Sequence, residues 1–151
     1  MTTADTLNGF IVAAPSSRSG KTFLTLSLLR AFRARGRNVG SFKVGPDYID
    51  PGFHAAASGR PCINLDPWAM RAETIQNNLA STVDGSDLVI GEGVMGLFDG
   101  AAGGNGSTAD LAESIGFPVV LVIDARGQAT SAAALVHGFA EYRPSLNLAG
   151  V

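Results

Sequence analysis

The sequence holds one cysteine, Cys62, and two histidines, His54 and His137, among its 151 residues. A single thiol excludes an internal disulfide framework and a multi-thiolate metal site. Cys62 lies in Arg60-Pro61-Cys62-Ile63-Asn64-Leu65 and reads as a small buried residue. The histidines have neither metal-ligand spacing nor a neighbouring nucleophile, and read as structural or surface residues. Charge is sparse: 16% of residues are charged, the formal net charge is −2, and there is no basic block. That balance argues against a nucleic-acid surface. No run approaches the roughly 20 apolar residues of a membrane span. Residues 1–10 lack the basic start and apolar centre of a signal peptide. The expectation is a cytoplasmic protein with no membrane or nucleic-acid partner.

What is present is a hydrophobic content of 46%, in a chain long enough to bury a core as one domain. The most informative stretch is Ala13-Ala14-Pro15-Ser16-Ser17-Arg18-Ser19-Gly20-Lys21-Thr22. The apolar run Phe10-Ile11-Val12 precedes it, and an amphipathic run over residues 23–32 follows. Strand, small-residue loop, Gly-Lys-Thr and helix is the context a phosphate-binding loop requires. Backbone N–H groups of a tight loop at a helix N-terminus converge on phosphate oxygens, and the helix dipole adds to them. Ser16, Ser17, Arg18, Ser19 and Gly20 would line the nucleotide. Lys21 would reach the outer phosphates, and Thr22 would place its hydroxyl on Mg²⁺. Pro15 departs from the strict pattern, which has glycine there. The alternative is a helix start with serine caps and a solvated lysine.

Apolar runs alternate with helical patterns along the rest of the chain. Strands are expected at residues 10–14, 38–44, 87–91, 119–123 and from 146, and helices at 21–35, 71–82, 107–115 and 131–141. Residues 45–68, rich in Pro, Asp and Gly, read as an ordered functional loop with one short helix around 53–58. Residues 93–106 carry six glycines and read as loop. Ser107-Thr108-Ala109-Asp110 has capping-box spacing. This pattern predicts an α/β fold of the P-loop NTPase type: a mostly parallel sheet with helices on both faces. The chain stops inside a strand pattern, so the fold is expected to be incomplete at its C-terminus, with residues 1–151 as the N-terminal part of a longer protein.

In an open α/β sheet, ligands bind at the carboxyl ends of the strands. Asp47 and Asp50 follow the second predicted strand, Glu92 follows the run at 87–91, Asp99 sits further on, and Asp124 follows residues 119–123. Carboxylates beside a triphosphate make sense when a divalent cation lies between them. Glu92 is the first choice as a metal ligand, with Asp47, Asp50 and Asp99 next and Asp124 competing. Ordinary turn chemistry is the other reading of Asp47 and Asp50. Lys43 ends a strand and would face the same crevice, pairing with phosphate or with a substrate carboxylate. Glycines 91, 93, 96 and 100 would let backbone approach a ligand, or simply make the loop flexible. Trp68 reads as packing.

Four segments together resemble cobyrinic acid a,c-diamide synthase and its counterpart acting on hydrogenobyrinic acid. They are Ala13 to Thr22, Phe42-Lys43-Val44-Gly45-Pro46-Asp47-Tyr48-Ile49-Asp50-Pro51 with Phe53-His54, Glu92-Gly93-Val94-Met95-Gly96-Leu97-Phe98-Asp99-Gly100, and Val122-Ile123-Asp124-Ala125-Arg126-Gly127. The resemblance implies an ATP-dependent ligase of cobalamin biosynthesis that amidates corrin carboxylates through acyl phosphates. ATP and Mg²⁺ are the implied cofactors and a corrin is the implied substrate. Ammonia would come from a C-terminal class I glutaminase domain that this chain does not contain, so Cys62 is not its nucleophile. By resemblance, Lys21, Asp47, Asp50, Glu92 and Asp99 carry the catalysis, with Thr22, Asp47 and Glu92 at the metal. Glu92→Gln would then weaken Mg²⁺ dependence and leave the fold intact. A homodimer is a possible assembly. Partitioning-type ATPases share the loop but carry a lysine where this chain has Ser16, and they lack Pro-Asp-Tyr-Ile-Asp-Pro. Dethiobiotin synthetase and cobyric acid synthase differ at residues 46–51. A non-catalytic nucleotide-binding fragment is the remaining alternative.

Overall fold

A computed structural model describes residues 8–151. Six strands, β1 (Gly9–Ala13), β2 (Val39–Val44), β3 (Cys62–Leu65), β4 (Leu88–Glu92), β5 (Val119–Leu121) and β6 (Leu148–Gly150), alternate with five helices. The helices are α1 (Lys21–Ala34), α2 (Asp50–Ser58), α3 (Ala72–Val83), α4 (Thr108–Ile115) and α5 (Ser131–Tyr142). The strands form one sheet in the order β3-β2-β4-β1-β5-β6, and every neighbouring pair is parallel. This is the predicted α/β architecture. The signal-peptide reading concerned residues 1–10, of which 1–7 lie outside the described residues. Among the described residues, no helix is long and apolar enough to cross a membrane.

Two cores explain the layering. On one face Val12, Leu29, Val39 and Ile90 pack with Leu24, Leu28 and Phe32 of α1 and Ala57 of α2. On the other, Ile11, Phe42, Val89, Val119 and Leu121 pack with Ile75 and Leu79 of α3 and with Leu111 and Ile115 of α4. Alternate residues of each strand supply the two faces, as a pleated strand requires. Helix α5 buries no residue; it leans on the second core through Phe139, which stacks on Phe98 at 5.3 Å. Ser107 caps α4 as its spacing predicts, accepting from Asp110 N–H while Asp110 accepts from Ser107 N–H.

The segment 45–68 differs from its reading as a loop. It contains α2, which starts three residues before the predicted short helix, and the whole of strand β3. The start of α2 is set by Asp50 and Pro51, which favour a first helical turn. Strand β3 is four residues long at the sheet edge, with polar Asn64 in it, so its apolar signal is too short to stand out.

Gly91 lies opposite Phe42 in the β2–β4 ladder, and a Cβ there would sit 2.3 Å from the buried Phe42 ring. Phe42 packs against Phe117 at 6.1 Å and has nowhere to retreat. Gly91→Ala is therefore expected to cost about 1–3 kcal/mol through overpacking. Urea unfolding checks this; an unshifted midpoint would refute it.

Candidate functional site

The connections after β1 and β4 leave toward opposite faces of the sheet, α1 to one and α4 to the other. β1 and β4 are neighbours, so a crevice opens above their carboxyl ends, where ligands bind in such sheets. The loop after β1 and the last residue of β4 both lie there.

Residues 14–20 form the loop. Gly20 caps α1 with φ 95°, in the left-handed region where glycine carries no steric cost. Residues 17 and 18 form a turn, and among the described residues the N–H groups of Gly20, Lys21 and Thr22 have no backbone acceptor. Lys21, the first residue of α1, is buried and folds back over the loop. Its Nζ donates to Ser16 O at 3.0 Å and to Met95 O at 2.7 Å. Burial, with the Lys43 charge beside it, holds the Lys21 pKa below its ordinary value. The segment after β4 runs along the loop: Gly93 N–H donates to Val12 O and Leu97 N–H to Ala14 O, each at 2.8 Å.

Glu92 is fully buried and is the hub of the site. The ladder sets it beside Val12 on one side and Lys43 on the other. Its Oε1 accepts from Thr22 Oγ1 at 2.5 Å and from Lys43 Nζ at 2.8 Å. Its Oε2 accepts from His54 Nε2 at 2.6 Å. Lys43 Nζ also donates to Asp50 Oδ2 at 2.7 Å, and Thr22 Oγ1 lies 3.4 Å from the same oxygen. Burial alone would raise the Glu92 pKa, but the bonds from His54, Lys43 and Thr22 outweigh it and bring it to about 2. Burial likewise opposes the His54 charge, yet its bonds to Cys62 and Glu92 raise its pKa to about 9. Lys43 is raised too, its bonds to Asp50 and Glu92 overcoming burial.

The structure thus brings Thr22, Lys43, Asp50 and Glu92 together beside Lys21. It treats the other predicted residues differently. Asp47 closes its own turn, its Oδ1 accepting from the N–H groups of Ile49 and Asp50, and its Oδ2 lies 3.8 Å from Lys43. Asp50, rather than Asp47, is the acid that reaches Thr22. Asp99 accepts from Gly96 N–H at 2.8 Å, and its charge partly offsets the lowering of the Lys21 pKa. Asp124, the competing ligand, is paired with Arg126 at 2.5 Å. Ser16, Ser17 and Arg18 are exposed on the loop; Arg18 has φ 66°, and Ser16 Oγ lies 3.3 Å from Ser19 Oγ. At Gly91, Gly93, Gly96 and Gly100 other parts of the chain approach too closely for a Cβ. At Gly96, for example, a Cβ would lie 2.5 Å from both Asp99 Oδ2 and Pro15 O. Trp68 is exposed rather than packed.

His54, expected to be structural or on the surface, is instead buried against Glu92. It stands four residues after Asp50 on α2, so the two share one helix face. A histidine aligned with a site carboxylate in this way is a usable signal. His137, by contrast, is exposed on α5.

The sequence profile of the CobQ/CobB/MinD/ParA nucleotide binding domain matches residues 10–151. This chain belongs to that family. Curated relatives of the nucleotide-binding family agree closely with it in sequence. Hydrogenobyrinate a,c-diamide synthase of Rhizobium meliloti (strain 1021) is 53% identical over 145 residues, covering 96% of this chain and 34% of the relative. The protein of that name from Rhodobacter capsulatus is 54% identical over 147 residues, covering 95% of this chain and 34% of the relative. The chain spans about a third of the length of the curated relatives it matches. Its loop, Lys21 and the Thr22–Glu92 contact lie within the matched residues 10–151.

Proposed function

We propose that this chain is the ATP-binding, amide-forming part of a hydrogenobyrinate- or cobyrinate-type a,c-diamide synthase in cobalamin biosynthesis. The observation that carries the reading is the 2.5 Å contact between Thr22, at the end of the phosphate-type loop, and the buried Glu92 at the end of β4. It joins the nucleotide loop to an ionised carboxylate at the switch point of the sheet. The names of the relatives supply the substrate class. An exposed apolar rim supports it: Tyr48, Ile49, Phe53, Trp68 and Met95 all follow the carboxyl ends of β2, β3 and β4. Such a rim suits a ligand with broad apolar faces and carboxylates at its edge.

A carboxylate offers ammonia no adequate leaving group. Transfer of the γ-phosphoryl group from ATP to a carboxylate oxygen gives an acyl phosphate and ADP. Attack by ammonia on the acyl carbon then expels inorganic phosphate and leaves the amide. The protein's part is positioning and charge neutralisation. The N–H groups of Gly20, Lys21 and Thr22 would be available to phosphate oxygens, and Lys21 would give up its two carbonyl acceptors for them. Lys43 steadies the carboxylates around it. Ammonia comes from a glutaminase unit of the kind these ligases use.

Thr22 Oγ1, Glu92 Oε1 and Asp50 Oδ2 form a set of hard oxygen donors suited to Mg²⁺. Among the described residues, no three His, Cys, Asp or Glu side chains group as a metal cage. When bound, Mg²⁺ would neutralise charge developing on the transferred phosphoryl group.

The test is ADP release by the chain with ATP, Mg²⁺, an ammonium salt and hydrogenobyrinic acid. Release that requires the corrin, with the amide detected by mass, is expected. Hydrolysis indifferent to the corrin, or none at all, would refute the ligase reading.

A further inference from the structure

Glu92 has two oxygens and they are served unequally. Oε1 faces the site, taking Thr22 and Lys43. Oε2 points the other way and has one partner among the described residues, His54 Nε2 at 2.6 Å. Both side chains are fully buried, so water offers Oε2 no substitute. A carboxylate whose second oxygen lacked a donor would turn about its terminal bond, and Oε1 would turn with it.

His54 is itself held from behind. Cys62 Sγ, at the start of β3, lies 3.5 Å from its Nδ1, which fixes the ring plane from the side away from Glu92. A carboxylate only accepts, so the proton on the facing nitrogen belongs to Nε2. Helix α2 delivers both groups: Asp50 in its first turn reaches Lys43, and His54 one turn later reaches Glu92. Among the described residues, the other side chains that bond Glu92, Thr22 and Lys43, both take its site-facing oxygen.

We propose that His54 is a positioning residue, locking the Glu92 carboxylate so that Oε1 is presented to Thr22 where metal and nucleotide meet. The proposal rests on the reading of Thr22 and Glu92 as the metal–nucleotide site. It requires the N–H at the Nε2 position, not merely the bulk of the ring. Glutamine can place an amide N–H close to where Nε2 sits, whereas asparagine reaches only as far as Nδ1, and leucine offers no donor.

The experiment measures the Mg²⁺ concentration at half-maximal ATP binding, by calorimetry on the chain, so no turnover is needed. Oriented partners of a metal ligand are worth about 10–100-fold in metal affinity, so His54→Leu and His54→Asn should raise that concentration at least about tenfold, and His54→Gln only about threefold. ATP binding without Mg²⁺ should be the same in all. If His54→Leu does not fold, the asparagine and glutamine variants decide between themselves. Equal shifts in those two, or no shift in either, overturn the proposal. A wild-type chain whose ATP binding ignores Mg²⁺ removes the site reading and this proposal together. Wild-type Mg²⁺ dependence with indifferent variants removes this proposal alone.

Discussion

Lys21→Ala is expected to weaken ATP binding to this chain by roughly a hundredfold or more. Lys21 Nζ is held by two neutral acceptors, Ser16 O and Met95 O. A triphosphate would offer charged oxygens to the same ammonium. Hydrogen bonds to charged groups contribute about 1.5–3 kcal/mol each, so losing one or two corresponds to roughly 10–10⁴-fold in affinity. The fold should survive, because the carbonyls released lie at the edge of a loop that water can reach. Titration calorimetry with ATP, beside thermal unfolding of the same variant, separates the two effects. Unchanged affinity in a folded variant would remove Lys21 from the nucleotide site.

Glu92→Gln should affect the chain more broadly, contrary to the expectation from sequence that the fold would be untouched. Glu92 is fully buried and answers three donors. Glutamine keeps the shape but has a single acceptor oxygen, and its amide group donates. Either His54 or the Thr22–Lys43 pair would then face another donor. Lys43 keeps Asp50 at 2.7 Å, whereas His54 keeps only the thiol of Cys62. Removing one partner of a buried pair costs about 3–5 kcal/mol. The variant should unfold at clearly lower urea, and its ATP binding should lose Mg²⁺ dependence. A wild-type midpoint would show that the charge of Glu92 does not hold the cluster. A wild-type Mg²⁺ titration would remove it from the metal.

How much of this was legible depends on where the information resides. The loop at residues 13–22 and the strands around it could be read because their apolar runs are continuous and the glycine, lysine and threonine stand at fixed spacing. Capping at Ser107 could be read because both partners lie within one turn. The segment 45–68 was obscured by turn-forming residues that serve a helix start at Asp50-Pro51 and by an edge strand of four residues. The acids were recognised as a group, but spacing could not show that Asp47 spends Oδ1 on its own turn while Asp50 reaches Thr22. For the glycines of residues 91–100, sequence alone leaves ligand approach and loop flexibility equally open. Their neighbours are the Phe42 ring, Thr108, Asp99, Pro15 and Asn105, atoms distant in sequence that only the folded chain supplies.

Val12, Glu92 and Lys43 occupy matching positions on three adjacent strands. Neighbouring strands stand about 4.8 Å apart because main-chain bonds hold them there. The gap between the foot of the nucleotide loop, the buried acid and the lysine is therefore a property of the polypeptide backbone. Substitutions in the helices can loosen the cores without widening it. Losing that spacing means parting the middle of the sheet, an event as rare as unfolding of the whole domain. Traffic into and out of the crevice is left to the turns above.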